Sequence, residues 1–409
     1  MSEVERAVER AYRESSGSIR ARLLRILRDF ELAEEVVHEA FAAALGQWPN
    51  EGLPNEPSAW LMRTAQNKAI DWVRHRAGAA EKLAELAACA RDWEAEEASI
   101  AEDDMLRLIF TCCHPAIAPE GQVALTLQTV CGLRSDEIAR AFLVSPTTMA
   151  QRLVRAKRKI RDAGIPYVVP DAAMLPSRVS SACTTVYLVF NEGYAATVGA
   201  ELVRGELCSE AIRLGRLLAQ LLPQRADVEG LLALMLLIDA RRATRVDDEG
   251  IPVLLEDQDR SRWNAAQIAE GAALVQSSLG RGATTFGVQA AIAALHAGAP
   301  SSAATDWRQI VCLYDRLAHL QKGPVVSLNR AAAVAMAEGP ESALELLEAL
   351  GAAGELNEYH LFHAARADVL RRLGRRSAAL SAYRRALELV TNDPERRFLL
   401  RRIALLNAS

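Results

Sequence analysis

Aromatic residues make up only 5% of this chain of 409 residues, although half of it is hydrophobic. Alanine and leucine supply much of the apolar content, in runs such as AIAALHAG and NRAAAVAMAEG. Sheets draw on aromatic and β-branched side chains, whereas alanine loses no side-chain entropy in a helix, so the composition predicts an all-α protein. No apolar stretch reaches the roughly 18 residues that a membrane-crossing helix needs. The opening MSEVERAVERAYRESSG is charged and holds no apolar signal segment, and the expected location is therefore cytoplasmic. Seven cysteines, an odd number in no regular framework, fit a reducing compartment. The chain also lacks G-x-S-x-G, a Walker loop and H-E-x-x-H, so no catalytic centre, enzyme activity or cofactor is expected.

Cys112, Cys113, His114 and Cys131 are the nearest approach to a metal cluster. Neighbouring cysteines cannot easily both reach one tetrahedral ion, and no C-x2-C pair occurs, so they read as buried small hydrophobes with no metal. His360 and His363 share a helix face with no obvious carboxylate partner, which favours a structural role. Glu192, Asp239, Arg241 and Arg242 read as ion pairs that fix helix packing, with a polar pocket as the other possibility.

Formal net charge is −4, so affinity for nucleic acid has to come from local patches. The richest patch ends SDEIARAFLVSPTTMAQRLVRAKRKIR, residues 135–161. It predicts a helix Ser135–Phe142, a turn Leu143–Val144–Ser145 and a second helix capped by Ser145 with Pro146 in first position. Met149, Leu153, Ala156 and Ile160 make one apolar stripe, while Thr147, Thr148, Gln151, Arg152 and Arg155 lie away from it. Six basic residues and no acid stand between Gln151 and Arg161. A capped, basic second helix after a tight turn has the pattern of a helix-turn-helix that reads duplex DNA.

Upstream, residues 81–104 hold nine acids against two bases, a local charge of −7. Before them, residues 1–48 predict two or three helices. One of these, near Glu31–Trp48, carries Leu32, Val36, Ala40, Ala43 and Ala44 on one side and its acids toward the start. PNEGLPNEPS, residues 49–58, reads as a loop, with Ser58 capping the next helix, AWLMRTAQNKAIDWVRHR. Leu61, Met62, Ala65, Ala69, Trp72 and Val73 share one face of that helix, and Trp60, Arg63, Asn67, Asp71 and Arg74 another. Trp60 stacking on an unpaired base and Trp60 in the core are equally compatible with the residues alone. Asp104–Cys113 and Pro119–Cys131 predict two further helices. AGIPYVVPDAAMLPS, residues 163–177, is the clearest domain boundary.

The remaining chain reads as helical, apart from a polar excursion at residues 246–264 broken by Gly250 and Pro252. Ala379, Tyr383 and Ala386, with Gly374 in the preceding turn, reproduce the core spacing of a tetratricopeptide helix, and Ala343 with Leu347 echoes it. A further helical pair starts at Ser209–Leu222. Irregular periods indicate an array of degenerate repeats.

Taken together, these segments resemble a bacterial RNA polymerase sigma factor of the sigma-70 family, extracytoplasmic-function group. DFELAEEVVHEAFAAALGQW and PSAWLMRTAQNKAIDWVRHR look like region two, and GLRSDEIARAFLVSPTTMAQRLVRAKRKIR looks like region four. FNEGYAA, IDARR and LNRAAAVA point to the subgroup with a tetratricopeptide-like extension. The resemblance implies region two at 1–78, an acidic linker at 79–102, region four at 103–165, a Pro-rich linker at 166–177 and the extension at 178–409. It implies core RNA polymerase and promoter DNA as partners, with no membrane involved, and leaves room for a protein partner of the extension. Asp29, Glu31, Glu34, Glu35 and His38 would meet the β′ clamp. Asn50, Asn55, Trp60, Arg63, Asn67 and Arg74 would open the −10 element. Thr147, Thr148, Gln151, Arg152, Arg155 and Lys159 would read the −35 element, with Lys157, Arg158 and Arg161 adding phosphate contacts or covering the β flap. The linker would thread the channel that later holds RNA. A helix-turn-helix regulator with a ligand- or protein-sensing C-terminal domain is the alternative reading.

Overall fold

A computed structural model of the chain describes residues 3–75 and 98–408. It is all-α: among the described residues there is no strand, only two isolated bridges, Gly199 with Asn392 and Val246 with Pro252. No described helix is long and apolar enough to cross a membrane. The acidic run from Glu81 to Glu97 lies outside the described residues.

The chain divides into two compact units, Met1–Val186 and Tyr187–Ser409. In the first, helices Glu3–Leu27, Phe30–Glu51 and Pro57–His75 pack together and precede helices Ala98–Cys112, Pro119–Thr129, Ser135–Ala141 and Pro146–Asp162. The predicted loop at 49–58 is shorter than expected. The second helix runs through Pro49 to Glu51 before Gly52 turns the chain at φ +88°. Ser58 does not cap the third helix, which begins at Pro57, with Trp60 N donating to Glu56 O at 3.1 Å. The Ser58 hydroxyl instead lies 2.7 Å from that of Ser15.

The first helix is the pillar of this unit and packs on both halves of it. Gly17 is buried so close to the end of helix Pro119–Thr129 that a Cβ there would lie 2.6 Å from the Val130 carbonyl oxygen. Three residues on, the buried Arg20 donates Nη1 to the carbonyl of Thr129 at 2.6 Å and to that of Gln128 at 3.4 Å. Those carbonyls belong to the last turn, where no intrahelical donor remains, so the guanidinium caps the helix from a distant part of the sequence. Arg178 does the same for helix Ala98–Cys112, donating to Phe110 O at 2.7 Å. Arg178 is the residue at which the extension is expected to begin. It lies in helix Leu175–Tyr194, whose first half covers the unit and whose last turns belong to the second unit.

The second unit starts with Gly205–Leu221 and Ala226–Asp239, passes through the polar excursion with short 3-10 turns at Arg242–Thr244 and Arg260–Arg262, and continues in helices from Ala265 to Ala408. From Trp307 onward each helix packs on the next in sequence, as a solenoid requires. Ala379, Tyr383, Ala386, Ala343 and Leu347 are all buried in one cluster, and Gly374 turns at φ +70°. His360 corrects the expectation: its Nε2 lies 2.9 Å from Glu395 Oε2, a carboxylate supplied by the last helix.

Candidate nucleic-acid and polymerase interface

The helix-turn-helix forms where the residues placed it. Ser145 Oγ accepts from Thr148 N at 3.0 Å, Pro146 takes the first position, and Met149, Leu153, Ala156 and Ile160 are all buried. The preceding helix ends one residue early, at Ala141, because Leu143 adopts φ +48° and its backbone N–H closes on Arg140 O at 3.2 Å. At the start of that helix, Glu137 Oε2 accepts from Arg134 N at 2.8 Å. The outward face divides by exposure. Thr147, Gln151, Arg155 and Lys159 are exposed, while Thr148 and Arg152 are half-buried. The Thr148 hydroxyl is 2.8 Å from that of Ser145, which draws it into the cap.

Helix Pro57–His75 presents its two faces as the alternation of residues required. Leu61, Ala65 and Ala69 are buried, and Arg63, Asn67, Asp71 and Arg74 are exposed. Trp60 lies between the two readings: half-buried, it meets the buried Trp48 edge-to-face at 5.5 Å. Arg74 pairs with Asp71 at 3.6 Å, on the same face. Asn55 is exposed just before the helix. Asn50 sits in the last turn of the helix before, with Nδ2 on Gly46 O at 3.2 Å.

The residues assigned to the polymerase clamp share the start of helix Phe30–Glu51. Asp29 is its N-cap, accepting from the backbone of Glu31 at 2.9 Å and Leu32 at 3.1 Å. Glu31, Glu35 and His38 are exposed, and the His38 ring stacks on Tyr12 at 6.5 Å. Glu34 is different. Its carboxylate is half-buried and bonded to the ammonium of Lys157 on helix Pro146–Asp162. Burial pushes the Glu34 carboxyl upward, but the pairing with Lys157 outweighs it and holds the group below the usual carboxylate range. Arg161 lies 3.9 Å from Glu31 in the same seam.

Glu34 and Glu31 therefore meet Lys157 and Arg161, a juxtaposition with no sign in either segment. Further contacts secure it. Asp104, one of the nine acids, is buried between Arg107 at 3.0 Å and Arg25 at 3.4 Å. Tyr167, from the Pro-rich segment, donates its hydroxyl toward the carbonyls of Ala21 at 2.7 Å and Asp104 at 3.0 Å. Arg13 reaches Glu137 at 3.2 Å. The cysteines behave as small hydrophobes: Cys112 and Cys113 are buried against Thr129 and Thr126, and desolvation pushes the Cys112 thiol up to about 12.

Comparison with known proteins places these elements. The profile of Sigma-70 region 2 matches residues 11–78, and that of Sigma-70, region 4, matches residues 107–160. A family of unknown function (DUF6596) matches residues 178–279. An uncharacterized protein of Rhizobium meliloti (strain 1021) is 44% identical over 384 residues, covering 92% of this chain and 90% of the relative.

Proposed function

Because the chain belongs to the sigma-70 factors of extracytoplasmic-function type that carry a C-terminal extension, we propose that it directs core RNA polymerase to −35 and −10 promoter elements and that its resting form is closed. Core polymerase and promoter DNA are the partners that regions two and four imply. One observation carries the closed form: Lys157 of the DNA-reading helix is bonded to Glu34 of the helix assigned to the clamp. The two elements lie about 25 base pairs apart, about 85 Å of duplex at 3.4 Å per pair. Regions held together by an ion pair and a shared helix packing cannot serve both, so initiation requires the seam to part. Polymerase, by competing for Glu31 and Glu34, supplies the energy.

The exposed Arg63, Asn67 and Arg74 face, with Trp60 at its edge, suits capture of an unpaired base of the −10 element. The exposure of Thr147, Gln151 and Arg155 supports contact with base edges or phosphates of the −35 duplex. The extension acts on this equilibrium in cis.

Run-off transcription with purified core polymerase on a promoter library tests the whole reading. Initiation from a restricted promoter set, dependent on the chain, is expected; tight duplex binding without core and no initiation favours the regulator reading instead. For the extension, the comparison is with a chain ending at Tyr194, which keeps helix Leu175–Tyr194 whole. Unchanged initiation at equal protein level removes the cis role.

A further inference from the structure

Most buried arginines in this protein have evident work. Arg20 and Arg178 cap helix ends, Arg242 is bound to Asp239 at 2.6 Å and Arg204 pairs with Glu192. In the second unit, Arg260 likewise donates to the carbonyls of His296 and Ala299 at the end of helix Thr285–Gly298, at 2.5 and 2.8 Å.

Arg241 and Arg245 do not fit this pattern. They lie four residues apart, and both hold their guanidinium over the ring of Tyr194, at 5.7 and 5.3 Å from its centre. Arg241 is mostly buried, its charged neighbours include Arg245 and Arg260, and no carboxylate is paired with it among the described residues. Asp239, the nearest acid in sequence, is bound through Oδ2 by Arg242 and by Gln267 at 2.9 Å, and its Oδ1 is buried without a hydrogen-bond partner among the described residues. Arg245 feels Glu395, but that carboxylate is already bonded to His360 at 2.9 Å and Asn392 at 2.8 Å. The Tyr194 hydroxyl, Arg245 Nε, Arg260 Nη2 and His296 Nδ1 are buried without a hydrogen-bond partner among the described residues. Like charges side by side repel, and a buried cation with no counter-charge is strongly destabilising. An aromatic face relieves only part of that.

We propose that Arg241, Arg245 and the Tyr194 hydroxyl form a binding site for the phosphoryl group of a small molecule. Two guanidiniums without a carboxylate of their own match the charge of a phosphate near neutrality, and their planar forks match its oxygens. The tyrosine hydroxyl adds a neutral donor. Beyond them, a His296 kept neutral by burial beside Arg241 and Arg260 lines a cavity of about 470 Å³ together with Trp307 and Tyr314. That cavity is where the body of a phosphate ester would lie. The site stands on residues of the second unit alone and does not depend on the transcriptional reading.

The test is calorimetric titration of the full chain with inorganic phosphate and with phenyl phosphate, against chloride at equal ionic strength. Saturable binding of phosphate is expected. Arg241→Met should weaken it at least about tenfold, the loss of a charge-assisted hydrogen bond, without lowering the melting temperature of the ligand-free chain. Tyr194→Phe keeps the ring beneath both arginines and should still weaken binding severalfold, and it guards against a folding defect in the arginine variant. Tighter binding of phenyl phosphate identifies an ester as the ligand, and equal binding identifies free phosphate. No saturable response to either probe, or a response of equal strength in both variants, overturns the proposal.

Discussion

Two residues of the first unit carry consequences beyond their immediate contacts. Leu143 sits at φ +48° with 51% of its surface exposed. A side chain in the left-handed region costs about 1–2 kcal/mol, and an exposed leucine recovers little of it through packing. Leu143→Gly should therefore raise stability by about 0.5–1 kcal/mol after the entropy of glycine is counted, read from urea unfolding. A loss instead would mean that Leu143 packs on something in solution. Glu34 is the second. Glu34→Gln removes the charge that holds Lys157 while keeping the side chain's size. In a closed chain, that substitution should strengthen binding of free protein to a −35 duplex and weaken binding to core polymerase, two opposite signs from one change. If duplex affinity is unaltered in fluorescence anisotropy, the Lys157 pair does not restrain the reading helix.

At the scale of elements, the recurring device is an arginine from one helix satisfying the last carbonyls of another: Arg20 on Thr129, Arg178 on Phe110, Arg260 on His296. Helices joined by short turns end inside the packed body, and orphan carbonyls there need donors. Gly17 makes the first of these approaches possible. Gly17→Ala gains about 1 kcal/mol of helix propensity but drives a Cβ into the Val130 carbonyl, so a net loss of about 1–3 kcal/mol is expected. Gly46→Ala is the control, because nothing lies within 4 Å of its added Cβ and the propensity gain should emerge alone. Denaturant midpoints that shift alike for both variants would refute the close approach. These elements also mark where sequence ceases to be informative. The Ser145 cap, the Pro146 start and the buried stripe from Met149 to Ile160 are local patterns, legible at spacings of three and four. The Glu34–Lys157 pair spans 123 positions and Arg20–Thr129 spans 109, and no local period encodes either. Ser58 misled because Pro57, just before it, already starts the helix. His360 had a carboxylate partner 35 residues away, beyond any helical spacing.

Across the whole molecule, the two units should answer acid differently. In the second unit, burial with Arg241 and Arg260 nearby lowers His296 to about 4. Its free value is about 6.5, so the unfolded chain takes up the proton first. Stability is then lost as pH falls from about 6.5 toward 4, by up to about 3 kcal/mol. The first unit holds two carboxyls of opposite sense. Burial raises Asp104, outweighing Arg25 and Arg107, so its protonation favours the folded state and its contribution fades as pH climbs through the raised value. Glu34 is held low, so its contribution persists until pH drops below the ordinary carboxylate range of about 4.3. Between about pH 6.5 and 4.5 the second unit should therefore weaken while the first holds or gains. Hydrogen exchange with mass analysis of fragments, corrected for intrinsic rates, reads the units separately at each pH. His296→Gln should flatten the response of the second unit and leave the first untouched. Loss of protection in both units together above pH 5 would show that the first unit does not hold through this range, and an unchanged acid response in His296→Gln would show that His296 does not set the limit of the second.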